Sequence, residues 1–228
     1  MKKFGIRTQG TEVEIESVIS KHAEGKDNFI YLEIGVASCV TLKAVNDILK
    51  DSCASSNNWI TIGLDIIGSG NVNFQEIYQN FSYGELPISS EEGELLSKNE
   101  LNIGKYNSLL VLRKNPRLWV NNIKDFGFDL VLIDACHGKP CVMADFLTIE
   151  NKIKPGGLCM FHDCGTEETG TDWQGHCNEN INVRNALVEL GLLDNSRVGW
   201  SLIKEIHGTR KTNKDSSGGN SMAIFRKD

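Results

Sequence analysis

Phe29–Leu42, FIYLEIGVASCVTL, is the stretch that most restricts what this chain can become. Phe29–Leu32 is a continuous apolar run, too short for a helix, and reads as a buried strand. Glu33-Ile34-Gly35 follows, then the small residues Ala37, Ser38 and Cys39. Val40–Lys50 carries Leu42, Val45, Ile48 and Leu49 at helical spacing. A strand that turns through small residues into a helix leaves free N–H groups pointing outward at the helix N-terminus. The pattern predicts a nucleotide-like ligand. Val36 and Ala37 follow Gly35 where a dinucleotide fingerprint would place a second glycine, which disfavours nicotinamide and flavin.

The remaining elements predict an α/β fold. Thr11–Glu24 reads as a helix ahead of the sheet, with Thr11 and Glu14 as a capping box. Trp59–Leu64 is a second buried strand, and it ends at Asp65, a position that in doubly wound folds faces a nucleoside and accepts both ribose hydroxyls. Ile66–Asn107 is rich in Asn, Ser, Gly and Glu; a connection of that length reads as an insertion, a candidate lid over the acceptor pocket. Ser108–Leu112 is a third strand and Pro116–Ile123 a short helix. Phe128–Ile133 is a strand ending in Asp134-Ala135-Cys136-His137, and Cys141–Ile153 a helix. Lys154–Gly157 reads as a turn, and Leu158–Phe161 as a strand ending in His162-Asp163. Two strands thus deliver ionisable groups to the edge of the sheet where such folds bind ligands. Ile181–Leu190 is a helix, and Val198–Ile206 and Met222–Phe225 are strands flanking a polar loop, so a hairpin should add one antiparallel strand. The expectation is a Rossmann-like, doubly wound, seven-stranded sheet, mostly parallel, with helices on both faces. Residues 1–228 read as one domain, with 1–28 as a helical lead-in and 66–107 as the insertion.

Composition limits the function classes. The 228 residues are 40% hydrophobic and 24% charged, as in globular proteins, and the net charge of -6 disfavours a nucleic-acid surface. No apolar run is long enough to cross a membrane, and Met1–Gly10 lacks the apolar core of a signal peptide, so a cytoplasmic location is expected. The seven cysteines form no C-x-x-C pair and read as reduced thiols. Five of them lie between Cys136 and Cys177 with three histidines, but without the usual zinc-ligand spacing.

With these motifs in order, the chain resembles the class I S-adenosylmethionine-dependent methyltransferases over nearly its whole length. Glu33-Ile34-Gly35 resembles their first cofactor motif, Ile62-Gly63-Leu64-Asp65 the second, and the terminal hairpin their sixth and seventh strands. More narrowly, Phe128–His137, Lys154-Pro155-Gly156-Gly157, His162-Asp163 and Val183–Leu187 resemble the methyltransferase domain 24 type, which acts on small molecules. The resemblance implies S-adenosylmethionine held by Glu33, Gly35, Val36, Ala37, Ser38, Thr41, Asp65, Ile66, Asn115 and Asp134. It implies a small hydroxylated acceptor, with no nucleic acid or membrane partner, and is compatible with a homo-oligomer. Three departures stand out, the first being the long Ile66–Asn107 insertion, which leaves the substrate unreadable. Cys39 replaces a frequent glycine, which would set the helix N-terminus further from the methionine moiety. Asn-Pro-Pro-Tyr is absent after the fourth strand, which disfavours methylation of DNA bases or amide nitrogens.

Metal-dependent relatives also imply roles at the strand tips. Asp134, His162 and Asp163 match their divalent-metal ligands, with His162 in place of an oxygen donor. An imidazole makes magnesium less natural than manganese, iron or zinc. His137 lies where catechol-type relatives carry a basic lysine, and its near-neutral intrinsic pKa suits a general base, so Asp134 and His137 are the expected catalytic pair. Two other readings stay open: a hydroxylase-like reaction on the same scaffold, and a cofactor-binding protein without catalysis.

Overall fold

The computed structural model describes residues 12–53, 59–66, 72, 75, 77, 81, 88–89, 107–123, 127–165, 177–207 and 221–228, the first five residues of 177–207 by backbone alone. The core of the fold is one sheet. Its strands are β1 (Phe29–Ile34), β2 (Trp59–Ile66), β3 (Ile88–Ser89), β4 (Ser108–Arg113), β5 (Phe128–Ile133), β6 (Ile153–His162), β7 (Trp200–His207) and β8 (Ser221–Lys227). They lie in the order β3-β4-β2-β1-β5-β6-β8-β7. The pairings β1–β2, β2–β4, β3–β4, β1–β5 and β5–β6 are parallel, and only β8 runs antiparallel to its neighbours. The seven expected strands are all present. The two-residue β3, from within the 66–107 insertion, adds an eighth at the β4 edge.

Every residue of β1, β4 and β5 is buried, as continuous apolar strands covered on both faces require. On one face, helices α1 (Glu12–Ala23) and α2 (Val40–Ser52) pack Ile15, Ile19, Leu42, Val45 and Leu49 against Phe29, Tyr31 and Leu130. On the other lie α3 (Pro116–Asn122), α4 (Lys139–Ile149) and α5 (Cys177–Glu189). Their Trp119, Val120, Phe146 and Leu187 close over Ile30, Leu32, Val131 and Phe161. Alternation along β1 therefore feeds two separate cores.

Several boundaries depart from expectation, α5 beginning at Cys177 and not Ile181 among them. The turn expected at Lys154–Gly157 is absorbed into β6, where the register against β5 jumps from Phe128↔Ile153 to Leu130↔Leu158. Gly156, at φ +74°, takes the bulge that the extra residues create. Helix α4 begins at Lys139, because Pro140 suits the first helical turn, and gives way at Glu150 to a short 3-10 helix. Within the insertion, Ile77 and Phe81 are buried against the α2 side of the core. Apart from these two and Ile66, Val72, Gln75, Ile88, Ser89 and Asn107, the stretch read as a lid lies outside the described residues.

The chain runs from β1 outward through β2 to β4, then crosses back to place β5 on the other side of β1. This reversal opens a crevice at the strand tips, where open α/β sheets bind ligands.

Candidate active site

The tip of β1 is fixed by the approach of β5. Gly35 has φ +88°, and a Cβ there would lie 2.4 Å from the Asp134 carbonyl oxygen. Only glycine permits both the dihedral and the contact. The Gly35 N–H donates to Leu64 O at 2.8 Å and the Asp134 N–H to Ile34 O at 2.9 Å, so β1, β2 and β5 are locked together beyond their ladders. The following turn carries Ala37 at φ 44° and Cys39 at φ 58°. Cys39 occupies the N-cap position of α2 in the left-handed region, which explains why a glycine is at home there. The cysteine costs about 1–2 kcal/mol relative to glycine's freedom.

Beside this turn opens a cleft of about 650 Å³. Gly35, Ala37, Asp65, Ile66, Asn115 and Asp134 line it, so much of the expected cofactor set converges on one space. Glu33, Val36 and Thr41 are instead buried, and Ser38 is half-buried on the turn. Burial and then the nearby Asp134 push the Glu33 carboxyl well above the usual carboxylate range, and the Tyr31 hydroxyl donates to it at 3.0 Å. Glu33 therefore serves as an internally bonded group beneath the site that holds its proton more tightly than usual. Asp65 accepts from the Val36 and Ala37 N–H groups at 3.0 and 3.3 Å and from the Ile66 N–H at 2.7 Å. It pins the glycine turn as well as facing the cleft. Asn115 caps α3, accepting from the Leu118 N–H at 3.1 Å.

Sequence reasoning missed four further lining residues with polar or ionisable side chains: Lys114, Arg117, Cys136 and Asp145. Arg117 donates to the Asp145 carboxylate at 2.7 Å and to the Cys141 carbonyl at 3.2 Å, tying α3 to α4 along the cleft wall. The one signal in the sequence is Asp145 itself, a carboxylate in an otherwise apolar helix, which requires a partner when buried.

At the β5 and β6 tips, Asp134, His137, His162 and Asp163 each offer a ligand atom, and these atoms all lie within 4.8 Å of one another. His162 Nδ1 donates to Asp134 Oδ1 at 2.8 Å and stands 3.4 Å from Asp163 Oδ2. His137 Nε2 lies 3.5 Å from Asp134 Oδ1 and 3.4 Å from Asp163 Oδ2. Asp163 holds φ 53°, strain of about 1–3 kcal/mol that persists where surroundings over-determine it and that clusters at functional sites. Arg184 braces that turn: its guanidinium donates to the Cys164 carbonyl at 3.3 Å and to Glu205 at 2.7 Å. Burial disfavours the charged form of His162, but Asp134 and Asp163 outweigh it and raise its pKa to about 9. Burial likewise opposes ionised Asp134, yet His162 and His137 bring it down to about 2. His162 Nε2 is buried without a hydrogen-bond partner among the described residues, a rare cost that a catalytic role or a bound ion would explain.

A family model described as a methyltransferase domain, methyltransferase domain 24, matches residues 32–164, from β1 through the β6 tip. The chain belongs to that family and is a class I S-adenosylmethionine-dependent methyltransferase. Solved structures share the fold of this methyltransferase at low identity. An O-methyltransferase from Bacillus cereus in complex with SAH is 13% identical, with 98% of this chain and 84% of that chain covered and a TM-score of 0.57. The O-methyltransferase TomG from Streptomyces achromogenes, involved in tomaymycin synthesis and in complex with SAM, is 10% identical over 94% of this chain and 78% of that one, at 0.53. An rRNA methylase from Streptococcus thermophilus is 7% identical over 94% of each chain, at 0.54. Fold likeness thus spans different acceptors and does not choose among them. No curated protein matches the methyltransferase by sequence. Among the described residues no helix is long and apolar enough to cross a membrane.

Proposed function

We propose that this methyltransferase moves the methyl group of S-adenosylmethionine onto a hydroxyl oxygen of a small molecule. One observation carries the reading: the cluster of Asp134, His137, His162 and Asp163 shares Asp134 with the cleft. An acceptor at the cluster would therefore sit beside the cofactor, which favours transfer between groups already aligned. S-adenosylmethionine, when bound, supplies a methyl group already activated as a sulfonium. Asp65, Ile66 and Asn115 would hold its nucleoside end, and Gly35–Ser38 its methionine end.

His137 is assigned as the base that takes the acceptor's proton, with its Nε2 facing Asp134 and Asp163, which orient the ring. Burial lowers its proton affinity, but the two carboxylates outweigh burial and hold its pKa above the ordinary value. The neutral ring that can accept a proton thus grows with rising pH, and activity should rise with it.

The donor chemistry of the cluster also fits a divalent metal. Two imidazoles and two carboxylates suit manganese, iron or zinc better than magnesium, which prefers oxygen alone. Asp134, His162 and Asp163 would hold the ion, which supplies Lewis-acid polarisation of the acceptor hydroxyl. The net charge of -6 supports a small-molecule acceptor over a nucleic acid.

The test is turnover with S-adenosylmethionine and a panel of phenols, catechols and aliphatic alcohols. Release of S-adenosylhomocysteine together with an O-methylated product is expected. Oxygenated products would move the protein to hydroxylase-like chemistry, and cofactor binding without any turnover would make it a binding protein.

A further inference from the structure

The β5–α4 loop carries a pair of thiols that the methyl-transfer chemistry does not use. Cys136 is exposed at the cleft wall, between Asp134 and His137 of the cluster, and Cys141 is half-buried in the first turn of α4. Gly138 lies between them: a Cβ built there would stand 3.5 Å from Cys136 Sγ and 3.9 Å from Cys141 Sγ. Both sulfurs therefore border one small space that no side chain fills. Cys39, Cys159 and Cys164 are buried in the cores, so Cys136 is the exposed thiol among the described cysteines.

We propose that Cys136 and Cys141 form a peroxide-sensitive dithiol whose oxidation to a disulfide disables the cofactor cleft. This goes beyond the methyl-transfer reading and rests only on the cleft being the cofactor site. The Cys136 thiolate attacks one oxygen of hydrogen peroxide, the O–O bond breaks, and a sulfenic acid and water result. The Cys141 sulfur then attacks the Cys136 sulfur and the hydroxyl leaves as a second water. Two thiols lose two electrons and two protons to one peroxide, and the sum is one disulfide and two waters.

Surroundings sort the two roles. Cys136 is the thiol that peroxide meets first, because susceptibility follows exposure. The hydrogen bond that the Cys141 thiol donates to Cys136, followed by burial, raises the Cys141 thiol above its ordinary value, as fits a resolving thiol held in reserve. Cys141 is also steadied from behind, where Arg117 donates to its carbonyl at 3.2 Å. Closure to an S–S bond of about 2.0 Å must then draw Cys136 toward α4. That motion pulls on Asp134–Ala135, whose backbone is already in contact range of Gly35, and on His137 in the cluster.

The experiment treats the full chain with hydrogen peroxide and follows three readouts: peptide mapping after alkylation, S-adenosylmethionine binding by calorimetry, and dimedone capture of sulfenic acid. Wild type should give a Cys136–Cys141 cross-linked peptide. Cofactor binding should weaken on the order of tenfold or more, a difference of about 1.4 kcal/mol, and dithiothreitol should restore it. Cys141→Ser should bind the cofactor normally before peroxide and stop at a dimedone-reactive Cys136 after it. No disulfide, a different pairing, or a Cys136–Cys141 disulfide with unchanged cofactor binding would overturn the proposal. None of these readouts requires turnover, so failure to find a hydroxylated acceptor would leave the dithiol proposal decided on its own results.

Discussion

Asp134 Oδ1 and His162 Nδ1 lie 2.8 Å apart at the tips of the adjacent strands β5 and β6, each the strongest influence of opposite charge on the other. The two strands pair Ile133 with Phe161, so the next residue on each must meet at the sheet edge. The register of the ladder, set by apolar residues, thus builds a charged pair on top of it.

Stability in chelator should depend on pH through that pair. His162, raised to about 9, contributes fully below its unfolded value near 6.5 and loses its contribution as pH rises through about 9. Asp134, lowered to about 2, contributes above its unfolded value near 3.8 and loses it as pH falls through about 2. The pair's contribution is therefore greatest between about pH 4 and 6.5 and falls toward pH 9 by on the order of 2–3 kcal/mol. Thermal unfolding across pH 6–9 should reveal the decline, and Asp134→Asn should flatten it. An identical slope in the variant would mean that other groups set it.

A divalent ion and a general base make different demands, and the cluster lets them be separated. Asp163→Ala should abolish both metal retention and methyl transfer while leaving cofactor binding intact, as should excess chelator on the unmodified protein. His137→Ala should lower the rate by roughly 10²–10⁴-fold, the range for a lost base, and keep the ion. Because His162 is protonated at neutral pH without metal, binding should release a proton, visible as a buffer-dependent calorimetric enthalpy. Full activity in chelator with no metal in the purified protein would leave His137 as the base of a metal-independent transfer.

Much of this was legible because burial on both faces leaves continuous apolar strands. Phe29–Ile34 and Phe128–Ile133 announce themselves, and with them Gly35 and Asp134 at their ends. The antiparallel β8 was legible too, since a strand, a polar loop and a strand admit a hairpin. Pro155-Gly156-Gly157 misled: turn residues mark a break, yet pairing with β5 carries β6 through them as a bulge. The left-handed Cys39 and Asp163 could not be read, because only tertiary contacts over-determine such dihedrals. The ion pair of Arg117 with Asp145 spans 28 residues, so Asp145 signals that a partner is needed but nothing local says which. The resemblance implies a base at His137, where catechol-type relatives carry a lysine; that its Nε2 also reaches Asp163 depends on loop geometry that the sequence does not encode.

Gly35→Ala is predicted to fail at the site before it fails in the fold. The new Cβ would fall 2.4 Å from Asp134 O and 2.6 Å from Ala135 Cα, both backbone atoms that cannot swing aside. With φ at +88° the substitution is strained as well, and the combined cost should exceed about 1–3 kcal/mol. A lowered melting temperature with lost cofactor binding is expected in calorimetry. Wild-type affinity in a stable variant would show that the β1 and β5 tips separate freely.

Asp65 supplies the last test, because it holds two roles that substitution can divide. Its carboxylate accepts from the N–H groups of Val36 and Ala37, and it also lines the cleft. Asp65→Ala removes both roles and should weaken S-adenosylmethionine binding by roughly 1–3 kcal/mol, the scale for a lost charged hydrogen-bonding partner. Asp65→Asn keeps one acceptor oxygen for the turn but loses the charge that favours bonds from ribose hydroxyls, so its loss should be smaller. If pinning the turn is the main role, both variants should instead soften amide exchange protection at Val36 and Ala37 in proportion to their lost affinity. Unchanged affinity in a folded Asp65→Ala protein would place the nucleoside elsewhere in the cleft.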